Sequence, residues 1–202
     1  MANKTTFIAT GDSFMTRRLP KDGYPGFEKI QEIIGQHDVK FNNLEITIHN
    51  QEGYPATTSG GTWAMAEPEI LDDLQRYGFN LYNTANNHSG DYGEGGVLAT
   101  IDNLKARDML FAGTGKNLGD ANRACYLETK NARVALISCN ASNVTAAMAG
   151  GQTGDLVGRP GLNPLRFNEI FHVDQAHFDM AQELATASGM NRITERSIRN
   201  GF

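Results

Sequence analysis

Three apolar, strand-like runs in this chain end in side chains able to bind a ligand, and this pattern constrains the fold more than any other feature. Phe7-Ile-Ala9 leads to Gly11-Asp12-Ser13, and the run from Asp38 leads to Asn42-Asn43-Leu44-Glu45. Phe79-Asn-Leu-Tyr82 leads to Thr84-Ala-Asn-Asn-His-Ser-Gly-Asp-Tyr-Gly93, which gathers Asn87, His88 and Asp91 in one short stretch. In an open α/β sheet the carboxyl ends of the strands rim the crevice where ligands bind. Carboxylate, amide and imidazole groups collected there suit a divalent metal.

Between these runs the apolar spacing turns helical. Phe27, Ile30, Ile33 and Ile34 recur at the helix period and Gly35 follows. Glu67 to Tyr77 carries Pro68 in its first turn, Ile70, Leu71 and Leu74 on one side, and Gly78 at its end. Glu94 to Ala106 repeats the pattern with Val97, Leu98, Ile101 and Leu104. Lys4 to Thr10 reads as the first strand, Asp38 to Asn43 as the second and Met109-Leu-Phe-Ala112 as a later one. Ala124 to Thr129 and Arg133 to Ser138 read as a hairpin around Lys130-Asn131. Asn50 to Thr62 and Ala146 to Leu165 read as long loops, and Asp174 to about Arg199 as a helix broken at Gly189. Strand and helix alternate, so the expected class is α/β, and 202 residues suffice for one domain with a substantial core.

The formal charge of −5 and the lack of a basic stripe argue against a nucleic-acid partner. Arg192, Arg196 and Arg199 share one helical side, read as a solvated face. No run of about 18 apolar residues exists, so no membrane span is expected. The N-terminus does not read as a signal peptide. Cys125 and Cys139 lie in apolar, strand-like stretches and read as buried free thiols of a reducing compartment, with a disulfide or a nucleophile as the lesser alternative. Cytoplasmic localisation is the default that follows, and homo-oligomerisation is left open.

Each candidate residue also has an ordinary structural role. Asp12 can bind a metal or cap the turn after Gly11. Glu45 lies on the same side of an extended chain as Asn43, yet an acid after a strand is commonly just exposed. His88 among hydrogen-bonding neighbours is a ligand or acid/base candidate, and Asp91 can cap the following helix or orient His88. The Gly113-Thr-Gly115 loop is only weakly like a phosphate cradle, and packing is its favoured role. His172 and His177 are spaced wrongly for one helical face, and no Gly-x-Ser-x-Gly elbow is present.

Thr10-Gly-Asp12, Asn43-Leu-Glu45 and Ala85-Asn-Asn-His88 with Asp91-Tyr-Gly93, taken in order, resemble the CapA family. These are bacterial capsule and poly-γ-glutamate synthesis proteins of the calcineurin-like metallophosphatase superfamily. Thr100-Ile-Asp-Asn-Leu104, Ala112 to Asn117, Arg133-Val-Ala-Leu-Ile137 and Arg159 to Arg166 extend the likeness over nearly the whole chain. The resemblance implies a layered mixed β-sheet sandwich flanked by helices (αββα), with a dinuclear site of two divalent metal ions, Mn, Fe, Zn or Mg. Asp12 would bind one metal, Glu45 would bridge or bind both, and Asn87 would bind the second. His88, held by Asp91, would act on the leaving group.

Two departures from the family pattern stand out. Phe14 occupies the place where the wider superfamily has a histidine, and the later His-Trp-Gly-like and Gly-His-x-His-like segments have no counterpart. The chain is an N-terminal part of a longer CapA-type domain, or a partner supplies the remaining ligands, or the site is degenerate; the first is expected. The implied function is a metal-dependent hydrolase of a phosphoester or related ester or amide, on a small-molecule or polymer substrate bearing phosphate or carboxylate groups. The alternative is a non-catalytic accessory protein in poly-γ-glutamate or capsule biosynthesis.

Overall fold

The computed structural model describes residues 4–59, 61–142, 145–168 and 170–189. The chain divides into two compact units, residues 1–165 and 166–202. The first runs β1 (Phe7–Ser13), α1 (Phe27–Gly35), β2 (Val39–Leu44), β3 (Thr47–Ile48), β4 (Met65–Ala66), α2 (Ile70–Arg76) and β5 (Leu81–Asn83). It continues with α3 (Gly93–Lys105), β6 (Phe111–Ala112), β7 (Thr114–Gly115), α4 (Leu118–Ala121), β8 (Cys125–Glu128), β9 (Arg133–Leu136) and β10 (Gly161–Leu162).

Strands β1, β2, β5 and β6 form a parallel sheet in that order. Each parallel step needs a crossover, and α1, α2 and α3 lie in the three crossovers. Side chains alternate between the two faces of a strand. On one face, Leu44 and Tyr82 join Ile70, Leu71, Leu74 and Leu104 from α2 and α3. On the other, Val39 and Leu81 pack with Leu127, and Leu110, Cys125, Val134 and Leu136 pack against them. The antiparallel β8–β9 hairpin therefore makes a second β layer over the face that α2 and α3 leave open. The expected α/β class, a sheet flanked by helices, is the architecture found.

The helix signals translate directly. Ile70, Leu71 and Leu74 are fully buried, and Gly78 at φ 88° ends the α2 segment in a left-handed turn open to glycine. In α1, Phe27 and Ile34 are buried while Ile30 and Ile33 stay partly exposed. Asp73 accepts bonds from Arg18 Nε at 2.6 Å, Leu19 N at 2.9 Å and Arg76 Nη1 at 3.3 Å. Burial pushes the Asp73 pKa up, but these bonds prevail and hold it below the usual carboxylate value. They tie the segment that follows β1 to α2.

Three features depart from expectation. β1 does not stop at Gly11 but continues to Ser13 through an irregularity. Two-residue pairings appear: β7 with β10 inside segments read as loop, and β3 with β4 in residues flanking the 50–62 loop that carry no expected element. A pairing that short shows no periodicity, so its residues give no strand signal. The favoured packing role of Gly113-Thr-Gly115 is what the structure shows. Gly113 has φ +115°, and a Cβ there would sit 2.6 Å from Ala85 Cβ and 2.9 Å from Ser138 Cβ.

In the second unit, α5 (Gln175–Ala187) is capped by Asp174, whose Oδ1 accepts from His177 N at 2.9 Å. Arg192, Arg196 and Arg199 fall outside the described residues. No helix among the described residues is long and apolar enough to cross a membrane.

One polar residue inside the fold has a strong pH signature. His49 is fully buried at the end of β3, with its ring 4.5 Å from that of Tyr92. Gln51 N donates to its Nδ1 at 3.1 Å, so the neutral ring carries its proton on Nε2 and donates to Thr47 Oγ1 at 3.1 Å. Burial holds the imidazole pKa below its ordinary 6.5, against the pull of Glu52. As pH falls through 6.5 the unfolded chain takes up a proton that the folded chain resists, so stability drops on the acid side. Unfolding free energies from urea titrations between pH 8 and pH 5 should fall by up to about 1.4 kcal/mol per pH unit below about 6.5, and His49→Gln should remove that component. Leu104→Ala, which empties a fully buried position, should cost about 2–5 kcal/mol by the same measurement.

Candidate functional site

The register of β1 against β2 brings Asp12 to the site. Ala9 lies opposite Phe41, but Asp12, not Gly11, lies opposite Asn43. One extra residue in β1 makes a bulge, and the bulge turns the Asp12 side chain onto the face shared with Asn43. Asn42, on the opposite face and 1% exposed, braces the bulge by donating to Thr10 Oγ1 at 2.9 Å and Ser13 Oγ at 2.6 Å.

On the site face a row of side chains crosses three neighbouring strand ends. Asn83 Nδ2 donates to Asn43 Oδ1 at 2.6 Å, and Asn43 Nδ2 donates to Asp12 Oδ1 at 2.8 Å. Asn43 Nδ2 also donates to Glu45 Oε2 at 2.7 Å, and its Oδ1 accepts a second bond from Asn86 Nδ2 at 3.2 Å. The Asn43 amide thus uses two donor protons and two acceptor sites, its full capacity. Its orientation cannot reverse without setting donors against donors.

Asp12 and Glu45 are close enough to share one proton. A bond from Glu45 and one from Asn43 hold the Asp12 carboxyl below its usual value. Burial, and then the neighbouring Asp12, push Glu45 up to about 7. The two opposite shifts describe one acid pair in which the more buried member keeps the proton. His88 is near enough to exert a charge effect on both acids.

His88 is fixed from behind. Its Nδ1 lies 2.7 Å from Asp91 Oδ2, and that oxygen also accepts from Ala64 N at 2.6 Å. The α3 N-cap is Tyr92, with no side-chain cap bond. Of the two roles open to Asp91, the geometry therefore matches the one that orients His88. With Nδ1–H directed at the carboxylate, Nε2 of the neutral ring is an acceptor. Phe14 sits edge-on to the His88 ring at 5.1 Å and packs against the imidazole. The 50–62 loop is tied down beside Asp91 through Ala56 N to Asp91 O at 2.8 Å and Trp63 Nε1 to Ala56 O at 2.8 Å.

The strand ends bring together Asp12, Glu45 and His88, with Asp91 behind the histidine. Asn87 takes no part in the hydrogen bonds of the amide row. It is exposed and lines a neighbouring hollow of about 320 Å³ with Thr58, Ser59, Asp91 and Thr145. Among the described residues, no three or more His, Cys, Asp or Glu side chains are grouped to hold a metal ion. Sequence reasoning assigns no role to Asn83 or the Ala64 backbone, and Asn43 and Asn86 enter it only as members of strand-end motifs, with no bonding role. A signal for two of them was present: Asn43 and Asn83 each stand at or next to the end of a strand, beside the apolar residues that define it.

Comparison with known proteins shows the family. The family model described as bacterial capsule synthesis protein PGA_cap matches residues 6–188. The Sinorhizobium fredii proteins y4sH and y4uA are each 36% identical over 182 residues, which is 89% of this chain and 39% of theirs. Capsule biosynthesis protein CapA of Bacillus anthracis is 32% identical over 168 residues, 80% of this chain and 40% of its own. The chain spans about two fifths of the length of these relatives. The bulged Asp12, the Asn43-Leu-Glu45 strand end and the Asn-His pair all fall inside the matched region, and the chain belongs to the bacterial capsule synthesis family PGA_cap, the CapA family.

Proposed function

We propose that this chain carries the strand-end part of a metal-dependent hydrolytic site that acts on a phosphoester or a related ester or amide. The observation that supports it is the convergence of Asp12, Glu45 and the Asp91-backed His88 on one rim of the sheet. Two acids that share a proton suit a cation, which replaces that proton and removes the repulsion between them. Asp12 and Glu45 would hold it, and Asn87 is the donor the family pattern adds. Two full coordination shells need further donors, from substrate or from outside the described residues. A divalent cation held there would supply Lewis acidity toward water and substrate.

The protein groups have their own tasks. Asn43 holds both carboxylates in place, so the pair is organised before any ligand arrives. Protonated His88 presents Nε2–H to a leaving-group oxygen or nitrogen, while Asp91 stabilises the imidazolium and fixes its plane. Phe14 limits water on one side of that ring.

A second reading, an accessory role in capsule or polyglutamate synthesis, is favoured by the family description and by the name of the Bacillus anthracis relative. Turnover separates the two. With Mn²⁺ or Zn²⁺ and a panel of nitrophenyl phosphate and carboxylate esters, Asp12→Ala and His88→Ala should each lower kcat about 100-fold or more. Equal rates in both variants and the parent protein would leave only the accessory role.

Cation binding at the pair must displace the Glu45 proton. Affinity for Mn²⁺ should therefore fall up to about tenfold per pH unit below about 7 and level off above it. Calorimetry in buffers of different ionisation enthalpy should show a proton released near pH 6, and Glu45→Gln should abolish both effects.

A further inference from the structure

Among the described residues the parallel sheet ends at β6, and a crevice of about 430 Å³ runs along that edge, lined by none of the strand-end carboxylates. Its walls come from both layers. Met109 and Phe111 belong to the apolar packing on the helix side of the sheet, and Leu110 and Cys125 to that on the hairpin side. The crevice is thus the slot where the two cores reach the surface. Its charged rim comes from Lys105 at the last turn of α3, Lys116 after β7, and Arg123. Asp120 pairs with Arg123 at 3.0 Å, whereas Lys105 and Lys116 form no ion pair among the described residues. Like the other lysines of the described residues these two are unpaired, and here they stand exposed at the mouth of a partly apolar slot.

We propose that this crevice is a binding site for a small amphiphilic anion, a carboxylate or phosphate head group on an apolar stem. Lys105 and Lys116 take the head group, and the stem lies against Met109, Leu110 and Phe111. Neither part suffices alone. An exposed lysine pair gains little from a fully hydrated anion in salt. An apolar stem without a charge leaves the lysines unneutralised. A buried methylene strengthens binding about fourfold, so a stem of several carbons makes the combination selective.

Cys125 lines the crevice and reports on its occupancy. In a Cys139→Ser background, which removes the other thiol, alkylation of Cys125 by iodoacetamide is followed with octanoate, octanol or acetate present. Octanoate should slow the reaction at least fivefold and saturably, and equal concentrations of octanol or acetate should change it less than twofold. Lys105→Gln with Lys116→Gln should reduce the octanoate effect to that of octanol, and each single substitution should give an intermediate loss. Thermal unfolding identifies any variant that fails to fold, in which case the single substitutions decide. Protection by octanol equal to that by octanoate, protection by acetate alone, no protection by octanoate, or undiminished protection in the lysine variants would each overturn the assignment.

Discussion

The side-chain amide of Asn43 sets the geometry of the strand ends. It donates to Asp12 and Glu45 and accepts from Asn83 and Asn86. An amide has only one orientation that satisfies two acceptor partners and two donor partners at once. The carboxylates therefore stand at fixed positions on one rim. Like charges would otherwise drive them apart, and instead they share a proton kept by the more buried Glu45. The acidity of the site follows from this packing rather than from any special residue type.

The layers behind the rim explain how a thin sheet supports such a row. Helices α2 and α3 cover one face, and the β8–β9 hairpin covers the other. The strand ends are left as the open side of a body closed on both faces. Asp91 links the rim to the long loop, because one of its oxygens holds both His88 and the Ala64 backbone. The imidazole and the loop residue beside β4 thus share one anchor.

Much of this was legible in the residues. The apolar periods of Ile70-Leu71-Leu74 and Val97-Ile101-Leu104 mark buried faces that the structure retains. The hairpin around Lys130-Asn131 is found where two strand-like runs meet turn residues. Asp12, Glu45 and His88 stood out as strand-end donors; Asn43 bonds both acids, and His88 lies within range of a charge effect on them. What was not legible depends on contacts distant in sequence. The two-residue strands β3, β4, β7 and β10 exist only because a partner passes by. The saturation of Asn43 requires Asn83 and Asn86, which are about forty positions away. The exposed setting of Asn87 beside buried Asn86 likewise depends on which of two adjacent amides meets the Leu44 carbonyl, and Asn86 does so at 2.8 Å.

The irregularity in β1 carries a consequence of its own. Side-chain parity along a strand is binary, so the extra residue between Ala9 and Asp12 decides which face the acid occupies. Spacing, not only composition, is therefore under constraint in this edge strand. A conservative exchange at Thr10 or Gly11 would keep the parity, whereas shortening the segment by one codon would turn the acid away from its amide partner while leaving every functional residue type in place.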